Sequence, residues 1–390
     1  MNGDFSMTQM KKLTNFFEDA MSRNFKYVFS NQVYLFKNFL FKNRIKEIQR
    51  DLLKENYPPD SEKLIIFLTS GFNDVNGGIM SISSIYEETE KLKELHGAES
   101  LLCTPPWDPV LLRYTKFRNR NNLYEFSEVL SYFQNPKSVM IHIPEHFCGQ
   151  FMDELSQEDW RMLDGIEDLH VNILIQNIDY ALENLGDIKR VSDRFENVTG
   201  TIAHEKYSNK EMREKLGFPI HKLSTFVSPE RHYKKPYVEK EDILIVSPDQ
   251  HPMKGEILKT ISKTMPQLKV RIIQGMQYEE YKELISRAKW ALTFGEGLDA
   301  YFVESIYSGA VSFSVYHAGF FTEDFKNLRT VYSNYHEMLK QMPLDMMNLN
   351  NEEDYSNYQR EEFDLCAGYY DFREYAKNLE LFYKGDYTFK

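Results

Sequence analysis

The chain has 390 residues, 42% of them hydrophobic, and a formal net charge of −12 at pH 7. That length exceeds one ordinary core and fits two domains plus an extension, and the composition excludes wholesale disorder. The acidic balance excludes a general nucleic-acid binder, which needs a basic surface to displace counterions. Three widely separated cysteines, Cys103, Cys148 and Cys366, form neither a disulfide framework nor a zinc-ligand spacing, which suits a reducing compartment. No apolar stretch reaches the length of a membrane span, and no short apolar core precedes a small-residue cleavage site. The expected location is the cytoplasm, free or peripheral at the inner face of the plasma membrane.

Residues 1–60 read as a helical extension. Between Met1 and Asn56 ten Lys or Arg stand against six Asp or Glu, so this stretch is basic in an otherwise acidic chain. Phe41, Ile45, Ile48 and Leu52 recur at helical spacing, with Lys37, Lys42, Arg44, Lys46 and Arg50 among them. A basic amphipathic helix of this kind lies on an anionic membrane or packs on its own domain or a partner subunit, and the spacing leaves these open.

Pro58-Pro59 closes the extension, and a first domain is expected over 61–228. A strongly apolar strand, Leu64 to Thr69, leads through a loop ending in Gly77-Gly78 into a helix rich in Ile and Ser. Paired glycines after a first strand let backbone approach a ligand at the amino end of the next helix, although a plain turn reads the same way. Further buried strands are predicted at Ser138 to Ile143, Val171 to Ile175 and Val198 to Ala203, separated by helical segments as a doubly wound sheet requires. A charged linker with two prolines, 229–240, separates the halves. The second α/β domain, 241–344, has strands at Ile243 to Ser247, Lys269 to Gln274, Ala291 to Phe294, Val311 to Val315 and Arg329 to Tyr332. Residues 345–390 are acidic and Tyr-rich, with helical periodicity from Phe363 to Tyr383.

The most informative stretch is Phe294 to Ser314. A strand runs into Glu296, which is flanked by Gly295 and Gly297; Glu304 follows eight residues later in a helical segment that Gly309 closes. This places one carboxylate at a strand's carboxyl end and the other about two turns along a helix, in the crevice where open α/β sheets bind ligands. Backbone N–H groups at the start of that helix suit an anion such as a phosphate.

This Glu-x7-Glu spacing, followed by a small-residue helix and Gly-Ala-Val, resembles the donor-site motif of retaining glycosyltransferases of the GT-B architecture, the large family-4 type. The resemblance implies two Rossmann-like doubly wound domains facing a cleft, with the final helical segment crossing back to the first domain. It also implies transfer of a sugar from a nucleotide-sugar donor to a glycan, lipid-linked or protein acceptor, as in bacterial surface polysaccharide synthesis. In that reading Glu296 faces the donor sugar, Gly297 and Leu298 lie beside it, and Glu304 takes the ribose hydroxyls. Lys254, in His-Pro-Met-Lys-Gly, matches the family lysine on the donor diphosphate, and Gly77 and Gly78 match its glycine-rich loop. His146 is the candidate for the first-domain histidine at the reacting sugar; His142, inside an apolar run, reads as a core histidine. The 28 Phe and 25 Tyr supply rings that fill cores and stack on sugar faces.

Two positions depart from the family pattern. Asp249 stands where an arginine usually pairs with the lysine, and Asp299 stands where a glycine usually follows the first glutamate; both bring negative charge toward the expected phosphate. Arg231, His251 or Arg271 are the cations available to compensate. No Asp-x-Asp cluster occurs, so no obligatory metal and no cofactor beyond the donor substrate are expected. The two aspartates keep open a catalytically silent GT-B subunit that binds glycan or a partner protein, and the shape alone also suits a nucleotide-sugar epimerase.

Overall fold

The computed structural model describes residues 43–74, 76–117, 119–224 and 233–390. The basic segment 1–42, and linker residues 225–232 with Arg231, lie outside the described residues. The first sheet contains β1 (Lys63–Leu68), β2 (Glu99–Thr104), β3 (Leu123–Glu125), β4 (Ser138–Pro144), β5 (Asp168–Ile175), β6 (Asn197–Ile202) and β7 (Ile220–Lys222). Their order is β3-β2-β1-β4-β5-β6-β7. The second sheet contains β8 (Glu241–Val246), β9 (Lys269–Ile272), β10 (Ala288–Leu292), β11 (Val311–Val315) and β12 (Val331–Tyr332), in the order β12-β11-β10-β8-β9.

All pairings within the two sheets are parallel. Parallel strands need crossovers that cover both faces, so central strands are apolar along their whole length rather than alternating. β1 follows that rule: five of its six residues, Leu64 to Leu68, are buried, and Ile66 sits between Leu101 and Ile141. β2, β3 and β7 add to the four strands expected in this half. β3 and β7 have three residues each, too few for periodicity to register, and are strands because a neighbour pairs with them.

Strand order reverses once in each sheet. In the first, the chain leaves β1 toward β2 on one side and later returns to β4 on the other; in the second, β9 and β10 flank β8 in the same manner. Loops leaving the carboxyl ends of strands at such a switch point diverge and open a crevice. Gly77-Gly78 follows β1, Glu145-His146 follows β4, and Phe294 to Asp299 follows β10, so both switch points contribute to one space between the domains. Leu298, Phe302 and Phe321 from the second domain belong to the same apolar cluster as Ile143 and Ile175 from the first, which joins the two halves below that space.

The described part of the basic extension is a helix over residues 43–56 that packs on the first domain. Gln49 and Leu53 are buried, and the Gln49 amide donates to the carbonyls of Leu111 (3.2 Å) and Leu123 (2.8 Å). Lys46 and Arg50 pair with Glu125 and Glu128, each at 2.6 Å. No helix among the described residues is long and apolar enough to cross a membrane.

At the other end, helices Tyr335–Asn348 and Glu352–Tyr370 cover the second sheet. The single periodic run expected from Phe363 to Tyr383 is broken at Asp371, whose carboxylate accepts from the backbone N–H groups of Arg373 (2.7 Å) and Glu374 (3.3 Å) and starts a new helix, Phe372–Tyr383. That helix lies on the first sheet, with Tyr375 and Leu379 in the cluster of Ile65 and Phe67, and Phe389 forms an antiparallel bridge with Ile220. Its Phe382 ring is ringed by three buried histidines of the sheet, His142, His170 and His221, at centroid distances of 5.7, 6.3 and 5.9 Å.

Candidate functional site

The crevice between the sheets is a cleft of about 530 Å³. Of the residues singled out in the sequence, it brings together Gly77, Gly78, His146, Glu296, Leu298 and Glu304 on its walls. Lys254 and Gly297 do not line it.

Glu304 lies on the helix Ala300–Tyr307 and is buried at 3% exposure. Its Oε1 accepts a hydrogen bond from the Tyr278 hydroxyl at 2.7 Å, while Oε2 makes no full hydrogen bond, with the buried Tyr281 hydroxyl in weak interaction with the carboxyl. Burial pushes the carboxyl up from its ordinary value, opposed by the Lys282 ammonium and the phenols of Tyr278 and Tyr281. A buried oxygen without a full hydrogen bond is costly, and this one belongs to a residue on the cleft wall.

Glu296 sits in the turn after β10, opposite the first domain. Burial, with the carboxylates of Asp299, Asp179 and Asp249 around it, pushes its carboxyl up to about 7. Asn177 Nδ2 donates to its Oε1 at 3.3 Å from across the cleft. Asp299 also lines the cleft, but both its oxygens are engaged within its own turn. Its Oδ1 accepts from Phe302 N at 3.0 Å and its Oδ2 from the Thr293 hydroxyl at 2.6 Å. It is the N-cap, so a side-chain carboxylate already takes up the helix terminus that the sequence offered to an external anion.

Gly297 serves the backbone. Its φ is +86°, and a Cβ there would stand 2.5 Å from the Phe321 ring and 2.9 Å from the Val315 carbonyl oxygen. The Lys254 ammonium is 2.7 Å from the carbonyl oxygens of both Ser247 and Asp249, closing the end of β8. Burial lowers its pKa. Of the compensating cations considered from the sequence, His251 stacks on Tyr335 with centroids 3.6 Å apart and Arg271 is exposed on β9. Among the described residues no Lys or Arg lines the cleft.

On the first domain, Asn76 caps the helix Gly77–Lys91 by accepting from Ile79 N at 2.9 Å. No atom comes within 4 Å of where a Cβ on Gly77 would stand, so that position borders open space. His146 projects from the turn after β4 with its ring against Phe147, and partial burial lowers its pKa. His142 is in the core: it stacks on Phe67 at 4.2 Å and bonds Asn172 and Tyr383 at 2.9 and 3.2 Å.

Several wall residues carry no signal in the sequence. Glu145 is buried beside His146, accepts from the N–H groups of Gln176 (3.1 Å) and Asn177 (2.9 Å), and is pushed up by burial to about 7. Gln176, Asn177, His204, Tyr278, Tyr281 and Tyr301 complete the walls. The position of Gln176-Asn177 just beyond a buried strand was the one available clue, since strand ends at a switch point carry ligand contacts.

No protein-family model and no curated protein matches the chain. Solved structures do match in shape. Sucrose-phosphate synthase from Thermosynechococcus elongatus superposes with a TM-score of 0.55 at 8% identity, covering 83% of this chain and 98% of that one. HepE of Anabaena in complex with UDP and glucose gives 0.51 at 8% identity over 83% and 99% of the two chains, and in complex with UDP-glucose 0.50 at 9% over the same shares. At such identities the likeness is one of fold: the chain has the GT-B arrangement of two Rossmann-like domains.

Proposed function

We propose that the chain is a retaining, metal-independent glycosyltransferase that moves a sugar from a nucleotide-sugar donor to a glycan, lipid-linked or protein acceptor. The observation that carries this reading is Glu304: a buried carboxyl in the cleft between two Rossmann-like domains, one of whose oxygens makes no full hydrogen bond within the protein. A ribose offers two vicinal hydroxyls to such acceptors. Glu296, on the same wall, accepts from hydroxyls of the donor sugar, and His146 faces it from the first domain at the reacting carbon. The two complexes of HepE with UDP and a sugar support a donor of this class.

Stabilisation by one nucleoside diphosphate or nucleotide sugar, read as a rise in Tm across a panel that includes UDP-glucose, tests the reading, because a ligand that binds only the folded state stabilises it by mass action. Glu304→Ala should lose that stabilisation and donor-dependent turnover while remaining folded. Full activity in Glu304→Ala would remove the site assignment.

A second reading, a silent GT-B subunit, is favoured by one specific observation. Asp299 caps the helix that an anion would need, and the described cleft walls offer no Lys or Arg to a diphosphate. Absence of any thermal response to the panel selects it.

A further inference from the structure

The turn Gln176-Asn177 is tied to every wall of the first domain. Glu145 accepts both of its backbone N–H groups, at 3.1 and 2.9 Å. His204 Nε2 meets the Gln176 carbonyl at 3.0 Å. The Gln176 amide donates to the Gly78 carbonyl at 3.2 Å and to the Ser81 hydroxyl. Asn177 Oδ1 accepts from Tyr180 N at 3.1 Å, capping the helix Ile178–Glu183. With its oxygen used there, the amide of Asn177 has one orientation, and its Nδ2 points across the cleft at Glu296.

Glu296 needs such a partner. It stands between two glycines, Gly295 and Gly297, on a turn rather than on a helix or strand. The charged groups that face it are all carboxylates: Asp299 on its own turn, Asp249 beyond β8, and Asp179 on the helix that Asn177 caps. Each disfavours an ionised Glu296. Asn177 is the described group that donates a hydrogen bond to it, and hydrogen bonding to the charged form favours that form.

We propose that Asn177 is the positioning residue of the cleft: its side-chain amide reaches from the first domain to hold the Glu296 carboxyl, on the second, turned toward the donor sugar. The assignment rests on the reading of Glu296 as the sugar-facing acid. It implies that the catalytic arrangement is complete only while the two domains stand this close.

The test uses the full chain with Asn177→Ser and Asn177→Asp. Both keep an oxygen for Tyr180 N and so preserve the helix cap, but neither offers an N–H donor to Glu296. Glutamate labelled with carbon-13 at the side-chain carboxyl reports each titration, and Glu296→Gln identifies the signal of Glu296. In Asn177→Ser the Glu296 midpoint should rise by about one pH unit, and in Asn177→Asp by more, because a further carboxylate then faces it. With UDP-glucose as donor, kcat at neutral pH should fall about 10- to 100-fold with KM nearly constant, and the acidic limb of the rate profile should move to higher pH. An unmoved Glu296 midpoint in both variants overturns the proposal. If the wild-type chain neither binds nor turns over any donor, the transferase reading falls, and the carboxyl titration still decides the role of Asn177.

Discussion

Tyr278 donates its phenolic proton to Glu304 Oε1 at 2.7 Å, and so it fixes which oxygen of the carboxylate is left for a ligand. Tyr278→Phe keeps the ring and removes the donor. Glu304 then turns freely and becomes easier to protonate, and the nucleotide sugar should bind about tenfold more weakly, the worth of one hydrogen bond to a charged group. Calorimetric titration of UDP-glucose into both proteins measures this; equal affinities would contradict the role given to Oε2.

Asp299 is both cap and excess charge, and the two roles separate by substitution. Asp299→Ala loses the bonds to Phe302 N and Thr293 and should cost about 1–2 kcal/mol of stability in denaturant titrations. Asp299→Asn keeps the cap without the charge. Burial raises the Asp299 carboxyl to about 6, above its unfolded value of about 3.9. The folded state therefore holds the proton more tightly, and stability drains away as pH rises from about 4 through 6. Asp299→Asn should be most stabilising relative to wild type near pH 8 and should tighten diphosphate binding.

The same sign applies to Glu362, which is fully buried on the helix Glu352–Tyr370 and accepts from Ser312 N and, at 2.8 Å, from the Thr330 hydroxyl. Burial holds its carboxyl well above the ordinary range. Glu362→Gln, neutral at every pH, should raise Tm at pH 8 and change it little at pH 4. A fall in Tm at pH 8 would show that the ionised form contributes to the fold.

The histidines around Phe382 act in the opposite direction. Burial lowers the pKa of His142 and His221 and brings His170 down to about 4, with Asp168 opposing the shift at His170. Being neutral when folded, they add stability that is present above the unfolded value of about 6.5 and lost as pH falls through the folded values. Each unit of depression is worth about 1.4 kcal/mol. Protection factors of the helix Phe372–Tyr383, taken relative to the intrinsic exchange rate at each pH, should fall between pH 7 and pH 4 before those of the second sheet do; uniform loss across both sheets would argue against a local effect.

How much of this was legible in the sequence follows from where each signal is encoded. Central parallel strands announce themselves as unbroken apolar runs, so β1, β4, β5, β8 and β11 could be read directly. β3 and β7 become strands through pairing with a neighbour, which no local pattern records. In the cleft, Glu296 and Glu304 share one turn-and-helix unit and have a spacing to read. Glu145, Asn177 and Tyr278 arrive on three other loops, and only the fold makes them neighbours. Asp299 was legible as a charge, but its N-cap bonds emerge from the helix it starts. Lys254 could be located in its loop, while its attachment to the carbonyls of Ser247 and Asp249 could not.

The chain passes from one sheet to the other twice, once between Ser224 and Tyr233 and again at Asp371, where one long helix ends over the second sheet and the next begins over the first. Tyr370 stands at the second crossing, holds the Tyr307 hydroxyl with its carbonyl at 2.9 Å and also lines the cleft. A molecule filling that space therefore touches the chain at the point where it crosses between the two sheets.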